Sequence, residues 1–268
     1  MTVTTLAVLG ALASVPVFAQ MTSVPLTPDT PSKAAFLRDH GLVRDLVHHN
    51  DGTDTSSNWS GYAVTGTGFT NATASWIVPK LTCKSGVQYS AFWVGIDGFS
   101  DKTVEQTGTE GVCVGSTPQY SAWYEFCCVE PIETISGMAV APGDKMSASI
   151  VYKGTKFTAT ITNETTGKTY SKTRAYKRAK RTSAEWIAEA PEVGGGIAPL
   201  ANFGTVLFGD DSTGIGGTCD AQDSASSGPI GNFSTIEEIT MATKSEKEAI
   251  PSALSSDGTS FSVTWAAP

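Results

Sequence analysis

Ser147-Ala-Ser-Ile-Val-Tyr-Lys-Gly-Thr-Lys-Phe-Thr-Ala-Thr-Ile-Thr-Asn-Glu-Thr-Thr-Gly-Lys-Thr-Tyr-Ser-Lys-Thr-Arg174 decides the fold class. Three runs rich in β-branched and aromatic residues (147–152, 156–162 and 169–174) are separated by Lys153-Gly154 and Thr166-Gly167. Glycine at such points supplies the turn that reverses an extended chain. The same punctuation continues outward from Asn58, with further runs at 74–78, 91–97, 120–126, 203–208, 235–240 and 260–265. No helical period intervenes. More than ten short strands in about 210 residues predict an all-β fold, a large two-sheet antiparallel β-sandwich of the lectin-like kind over residues 56–268. The Gly/Ser/Asp-rich stretch 209–231, with Cys219 inside it, reads as a loop; it lacks the ligand spacing of an EF-hand.

The N-terminal fifth reads differently. Residues 5–18 are apolar and too short for a membrane span of about 20 residues. Val17 and Ala19 suit a signal-peptidase site, so residues 1–19 are predicted to be a signal peptide and the protein to be secreted. Residues 20–55 then form a predicted propeptide and linker. Within them 32–49 is read as helical, because Leu42, Val43, Leu46 and Val47 fall at helical spacing. This segment holds three basic and five acidic residues plus all three histidines of the chain, His40, His48 and His49. Protonating those histidines turns its charge from −2 to +1, so its fit on an acidic body is expected to change with pH.

A net charge of −8 argues against a nucleic-acid binder, and no second segment approaches membrane-spanning length. The body beyond residue 55 has no histidine. Ser–His and Cys–His nucleophiles are therefore excluded there, and so are His-ligated metals; no cofactor or metal is expected. The five cysteines lack a C-x-x-C pattern. They fit disulfides of an oxidising compartment, with Cys83–Cys113 the favoured bridge. Four sequons, at Asn58, Asn71, Asn163 and Asn232, fit an exported chain.

With histidine gone, carboxylates and amides must carry any hydrolysis. Alternation along a strand puts Trp93, Gly95 and Asp97 on one face and Phe92, Val94 and Ile96 on the other. Trp123 and Glu125 share a face, as do Glu185, Ile187 and Glu189, while Gln106 lies on the strand between. Tryptophan beside acids and amides on one sheet face predicts a binding cleft, with the aliphatic face turned to the core.

These blocks together resemble the glutamic peptidases (eqolisins). They are Asn58-Trp-Ser-Gly-Tyr-Ala, Trp93-Val-Gly-Ile-Asp-Gly, Gln106-Thr-Gly, Trp123-Tyr-Glu and Ala184-Glu-Trp-Ile-Ala-Glu, in that family's order over most of 58–208. The resemblance implies a two-sheet sandwich, secretion with a propeptide, and peptide-bond cleavage in acid by a Gln–Glu pair. Carried onto this chain, the pair is Gln106 and Glu189, with Trp59, Trp93, Asp97 and Glu125 lining the cleft. The implied partners are polypeptide substrates and the chain's own propeptide as inhibitor, with a monomer as the expected state. Chemistry agrees: a carboxyl near its ordinary pKa of about 4.3 can take a proton from water in acid. A neutral amide donates to an oxyanion at any pH. Cys127-Cys128-Val129 departs from the family pattern, and Glu110 stands where some members carry Asp.

Two rival readings are a glycoside hydrolase using Glu185 and Glu189, and a sugar-binding sandwich without catalysis. The first requires a bend, since residues four apart on a strand stand roughly 13 Å apart whereas a retaining carboxyl pair needs about 5–5.5 Å.

Overall fold

The computed structural model describes residues 38–39, 42–49, 53–127 and 130–266. The signal expected over 1–19 lies outside them, as does the segment 20–37.

Two layers of strands face each other. The first runs, in spatial order, Glu130–Thr134, Thr117–Phe126, Glu105–Val114, Val87–Ile96, Ser183–Glu189, Trp59–Thr65 and Ile236–Ala242, every neighbouring pair antiparallel. Thr53–Ser56 adds to Ile236–Ala242 in parallel, and Val47–His48 pairs with Thr53–Ser56. The second layer runs Lys168–Ala175, Lys156–Asn163, Lys145–Lys153, Asn71–Ile77, Thr205–Gly209, Ser260–Trp265 and Lys247–Pro251. It joins the first along one edge, where Met241 pairs with Ala249. This is the expected β-sandwich, and the strands predicted between 74 and 265 are present.

Its main core lies between the layers. Phe92, Val94, Ile96, Tyr124 and Trp186 from one side pack with Trp76, Ile150, Ile161, Phe208 and Val263 from the other. Period-two alternation therefore sorted the 91–97 strand as expected: Phe92, Val94 and Ile96 point inward, and Trp93 belongs to a second apolar cluster on the opposite face. The favoured disulfide is present, with Cys83 and Cys113 Cα atoms 5.4 Å apart. Closing a loop of this length restrains the unfolded chain by about 3–4 kcal/mol in the chain-entropy account.

Two expectations fail. Residues 209–231 are not a simple loop. A short helix, Asp210–Thr213, is followed by the hairpin Asp220–Gln222 and Ser227–Pro229, which docks on Asn71–Ile77. Cys219 is buried there, and its neighbour Ala221 joins the core. The helix read over 32–49 is also absent from its described part. Arg38–Asp39 pairs with Glu192–Val193, and Val47–His48 pairs with Thr53–Ser56. Helical spacing of Leu42, Val43, Leu46 and Val47 lost to tertiary demand. Val43 and Leu46 pack on the second cluster, and the Val43 and His49 amides donate to Gly98 and Thr53 carbonyls.

Candidate active site

The strand Ser183–Glu189 sits between Trp59–Thr65 and Val87–Ile96, and all seven of its residues are buried. Register across this layer aligns the predicted residues in three rows on the face away from the main core. One row holds Glu110, Ala91, Glu189 and Trp59. The next holds Trp123, Gly108, Trp93, Ile187 and Gly61. The third holds Glu125, Gln106, Gly95, Glu185 and Ala63.

Glu189 accepts three side-chain hydrogen bonds. Its Oε2 accepts from Trp93 Nε1 at 2.8 Å; its Oε1 accepts from Trp59 Nε1 at 3.3 Å and Asn58 Nδ2 at 3.4 Å. The two indoles meet edge to face, with ring centroids 4.9 Å apart, so each holds the other's N–H on target. On the third row, Gln106 Nε2 donates to Glu125 Oε2 at 2.9 Å. The indole of Trp93 spans the two rows. Its N–H reaches Glu189 while its far ring edge lies over Gly95, where an added Cβ would come within 2.9 Å of it. Gly108 beside it tolerates no side chain either: a Cβ there would lie 2.2 Å from the Phe92 carbonyl oxygen. Both glycines thus let the tryptophan lie flat between the carboxylate and the amide.

Asp97 stands apart from these rows. Its backbone turns into the left-handed region (φ 71), which breaks the pleat, and its carboxylate accepts the Arg181 and Thr182 amides at 2.7 Å each. It ties the end of one strand to the start of the next. Asn58 is the residue that the sequence reading missed. It entered as a sequon expected to be unused and as the head of the Asn58-Trp block, with no role of its own; it is buried with its amide shared between Glu189 Oε1, the Leu42 carbonyl and the Arg44 amide, which leaves no room for a glycan. Its place directly before Trp59 was the available signal.

A group of acids flanks the third row. Burial pushes Glu105 up to about 9, helped by the charges of Asp97 and Asp101. Burial and a hydrogen bond that protonated Asp97 donates to Asp101 bring Asp97 to about 7, against the pull of the Thr182 and Arg181 amides. Fully buried Glu185 is raised by desolvation, opposed by the Ser183 hydroxyl, with the same acids adding to the rise. A carboxyl that stays protonated when folded but ionises when unfolded stabilises the fold only at low pH. That contribution is complete below about pH 4 and is lost as pH rises through 7 and toward 9. Thermal melts are therefore expected to show Tm falling from acid to pH 9, and Glu105→Gln to flatten the fall. A Tm that stays level or rises over that range counts against it.

Glu185 and Glu189 share one face of a strand with unbroken register, hence roughly 13 Å apart along the backbone. No bend brings them to the separation that a glycosidase pair needs.

The segment 42–48 crosses this face. The Leu42 carbonyl takes a hydrogen bond from the Asn58 amide that also reaches Glu189, and the Arg44 carbonyl accepts from Ser56 and Ser57. Val43 and Leu46 pack against the cluster of Trp59, Trp93, Phe99, Trp123 and Ile187. Gln106 and Glu189 are each 0% exposed.

A family model described as the Peptidase A4 family matches residues 57–265. The chain is 29% identical over 204 residues to aspergillopepsin-2 of Aspergillus niger, covering 66% of this chain and 72% of that protein. It is 35% identical over 138 residues to scytalidopepsin B of Scytalidium lignicola, covering 50% of this chain and 51% of that protein. Among solved structures it is similar to scytalido-glutamic peptidase bound to a transition-state analogue inhibitor. That match has a TM-score of 0.66 and 26% identity, over 78% of this chain and 98% of the other.

Proposed function

Because this chain belongs to the Peptidase A4 family and is a glutamic-type endopeptidase, we propose that it hydrolyses polypeptides in acid with Glu189 and Gln106 as its catalytic pair. The observation that carries this assignment is the set of three N–H donors converging on Glu189, two of them the indoles that floor the site. In the reaction, Glu189 removes a proton from water as the water oxygen attacks the scissile carbonyl carbon. The same carboxyl then gives that proton to the leaving nitrogen. An amide NH2 has two protons; the Gln106 bond to Glu125 fixes the direction of the other, which serves the tetrahedral oxyanion. Trp59, Trp93 and Asn58 hold the plane of the Glu189 carboxylate, and Asp97 holds the loop behind it. The test is cleavage of a denatured protein between about pH 2 and 7. Cleavage confined to the acid end supports the reading; a folded, matured chain that cleaves nothing at any pH overturns it.

Export belongs to the same proposal, supported by the signal-like 5–18 run and by the Cys83–Cys113 bridge. So does latency. The crossing of the site by 42–48, sharing Asn58 with Glu189, supports residues 20–55 as an inhibitor that must leave before substrate enters. N-terminal sequencing of the active secreted form is expected to read a start near residue 56. Full activity in a chain beginning at Gln20 would sink the latency.

A further inference from the structure

We propose that His48, Asp54 and Glu237 form a binding site for a divalent cation of the zinc class, which clasps the segment before residue 50 to the body of the sandwich. The three residues come from three adjoining strands. His48 pairs with Asp54, Asp54 with Ile239, and Glu237 precedes Ile239 by two positions, so all three side chains emerge on one face. Each offers a ligand atom, and these atoms all lie within 4.8 Å of one another. His48 Nδ1 is 3.0 and 3.1 Å from the two Asp54 oxygens. Tetrahedral zinc with bonds of about 2.0–2.2 Å separates its ligand atoms by about 3.3–3.6 Å. The His–Asp pair therefore already stands near the required spacing, and a Glu237 oxygen lies within 4.8 Å of both.

Access and rigidity fit as well. Asp54 is 1% exposed and His48 64%, so the site is anchored on one side and open on the other. His48 and Glu237 both line a groove of about 900 Å³ through which an ion can enter. Phe99 meets the His48 ring edge to face at 5.9 Å and steadies it. One imidazole and two carboxylates suit Zn²⁺, Co²⁺ or Ni²⁺, whereas Ca²⁺ and Mg²⁺ call for six or more oxygens. The expectation of no metal concerned a body without histidine; this site borrows its histidine from the segment proposed to be removed. Binding itself does not depend on the peptidase reading; only its consequence, a delay in releasing that segment, rests on it.

The test uses the full chain at pH 7, titrated with Zn²⁺ by calorimetry and with Co²⁺ as a visible-absorption probe. One saturable site is expected. Loss of outer partners alone weakens metal sites about 10–100-fold, so His48→Ala and Glu237→Gln are each expected to weaken binding by at least about tenfold. His49→Ala should leave it unchanged. Circular dichroism establishes that each variant is folded. Zn²⁺ should also slow trypsin cleavage after Arg44 in the wild type but not in His48→Ala. The proposal is overturned if no saturable binding occurs, or if His48→Ala binds as well as wild type, which leaves a plain His48–Asp54 ion pair. A chain that binds Zn²⁺ but cleaves no substrate after removal of residues 1–55 would defeat the peptidase reading and leave this site standing.

Discussion

Glu189→Gln is expected to abolish cleavage of a denatured protein at every pH from about 2 to 7, a fall of at least about 1000-fold in kcat, within the range for loss of a general acid–base group. The substitution keeps the shape of the side chain and removes only its capacity to take and return a proton. It also discriminates. The carboxylate accepts from Trp93 on one oxygen and from Trp59 and Asn58 on the other. Whichever way a glutamine amide turns, its NH2 meets an N–H donor on one side. A stability loss of about 1–3 kcal/mol should accompany the loss of activity, as for a buried group deprived of its partner. Circular dichroism at the assay temperature separates the two effects. A folded Glu189→Gln chain that retains acid cleavage rejects the mechanism.

Gln106→Ala is expected to lower kcat by about 100- to 1000-fold, the usual cost of removing one oxyanion donor. KM should change little, because the interaction strengthens only as charge develops on the carbonyl oxygen. Its single-turnover rate is the clean measurement, since it excludes slow product release. Equal losses in kcat and kcat/KM support the oxyanion role. A rise in KM with kcat unchanged would instead make Gln106 a substrate-holding residue. Gln106→Glu provides a second view. It keeps a polar atom within reach of Glu125 but sets two carboxyls at about the 2.9 Å now spanned by the amide bond. Such a pair shares one proton, so any activity it retains should decline as pH rises and the proton is lost.

The candidate face was legible because strand alternation is a local property. A period of two assigns Trp93 and Phe92, or Glu189 and Ala188, to opposite sides whatever the strand's neighbours are. The Gly-punctuated runs of 147–174 are enough to place three strands there. The Cys83–Cys113 bridge followed from the same placement of strands. What crosses between strands was not legible. Asn58 has no role in the sequence until the 183–189 strand brings Glu189 beside it. Asp97 shares a pleat with Trp93 on paper, yet its positive φ turns it toward Arg181 and Thr182, a partner 85 positions further along the chain. The burial of Glu105 and Glu185 depends on neighbours brought in from distant strands. The 42–48 segment was misread for the same reason. Its spacing satisfies a helix locally, but the tryptophan cluster that receives Val43 and Leu46 is assembled from five distant strands. Sequence by itself determined which residues could face one another, since that needs only backbone geometry. Tertiary structure decided which ones do, because register, burial and the covering of the cleft are set by contacts between residues far apart in the chain.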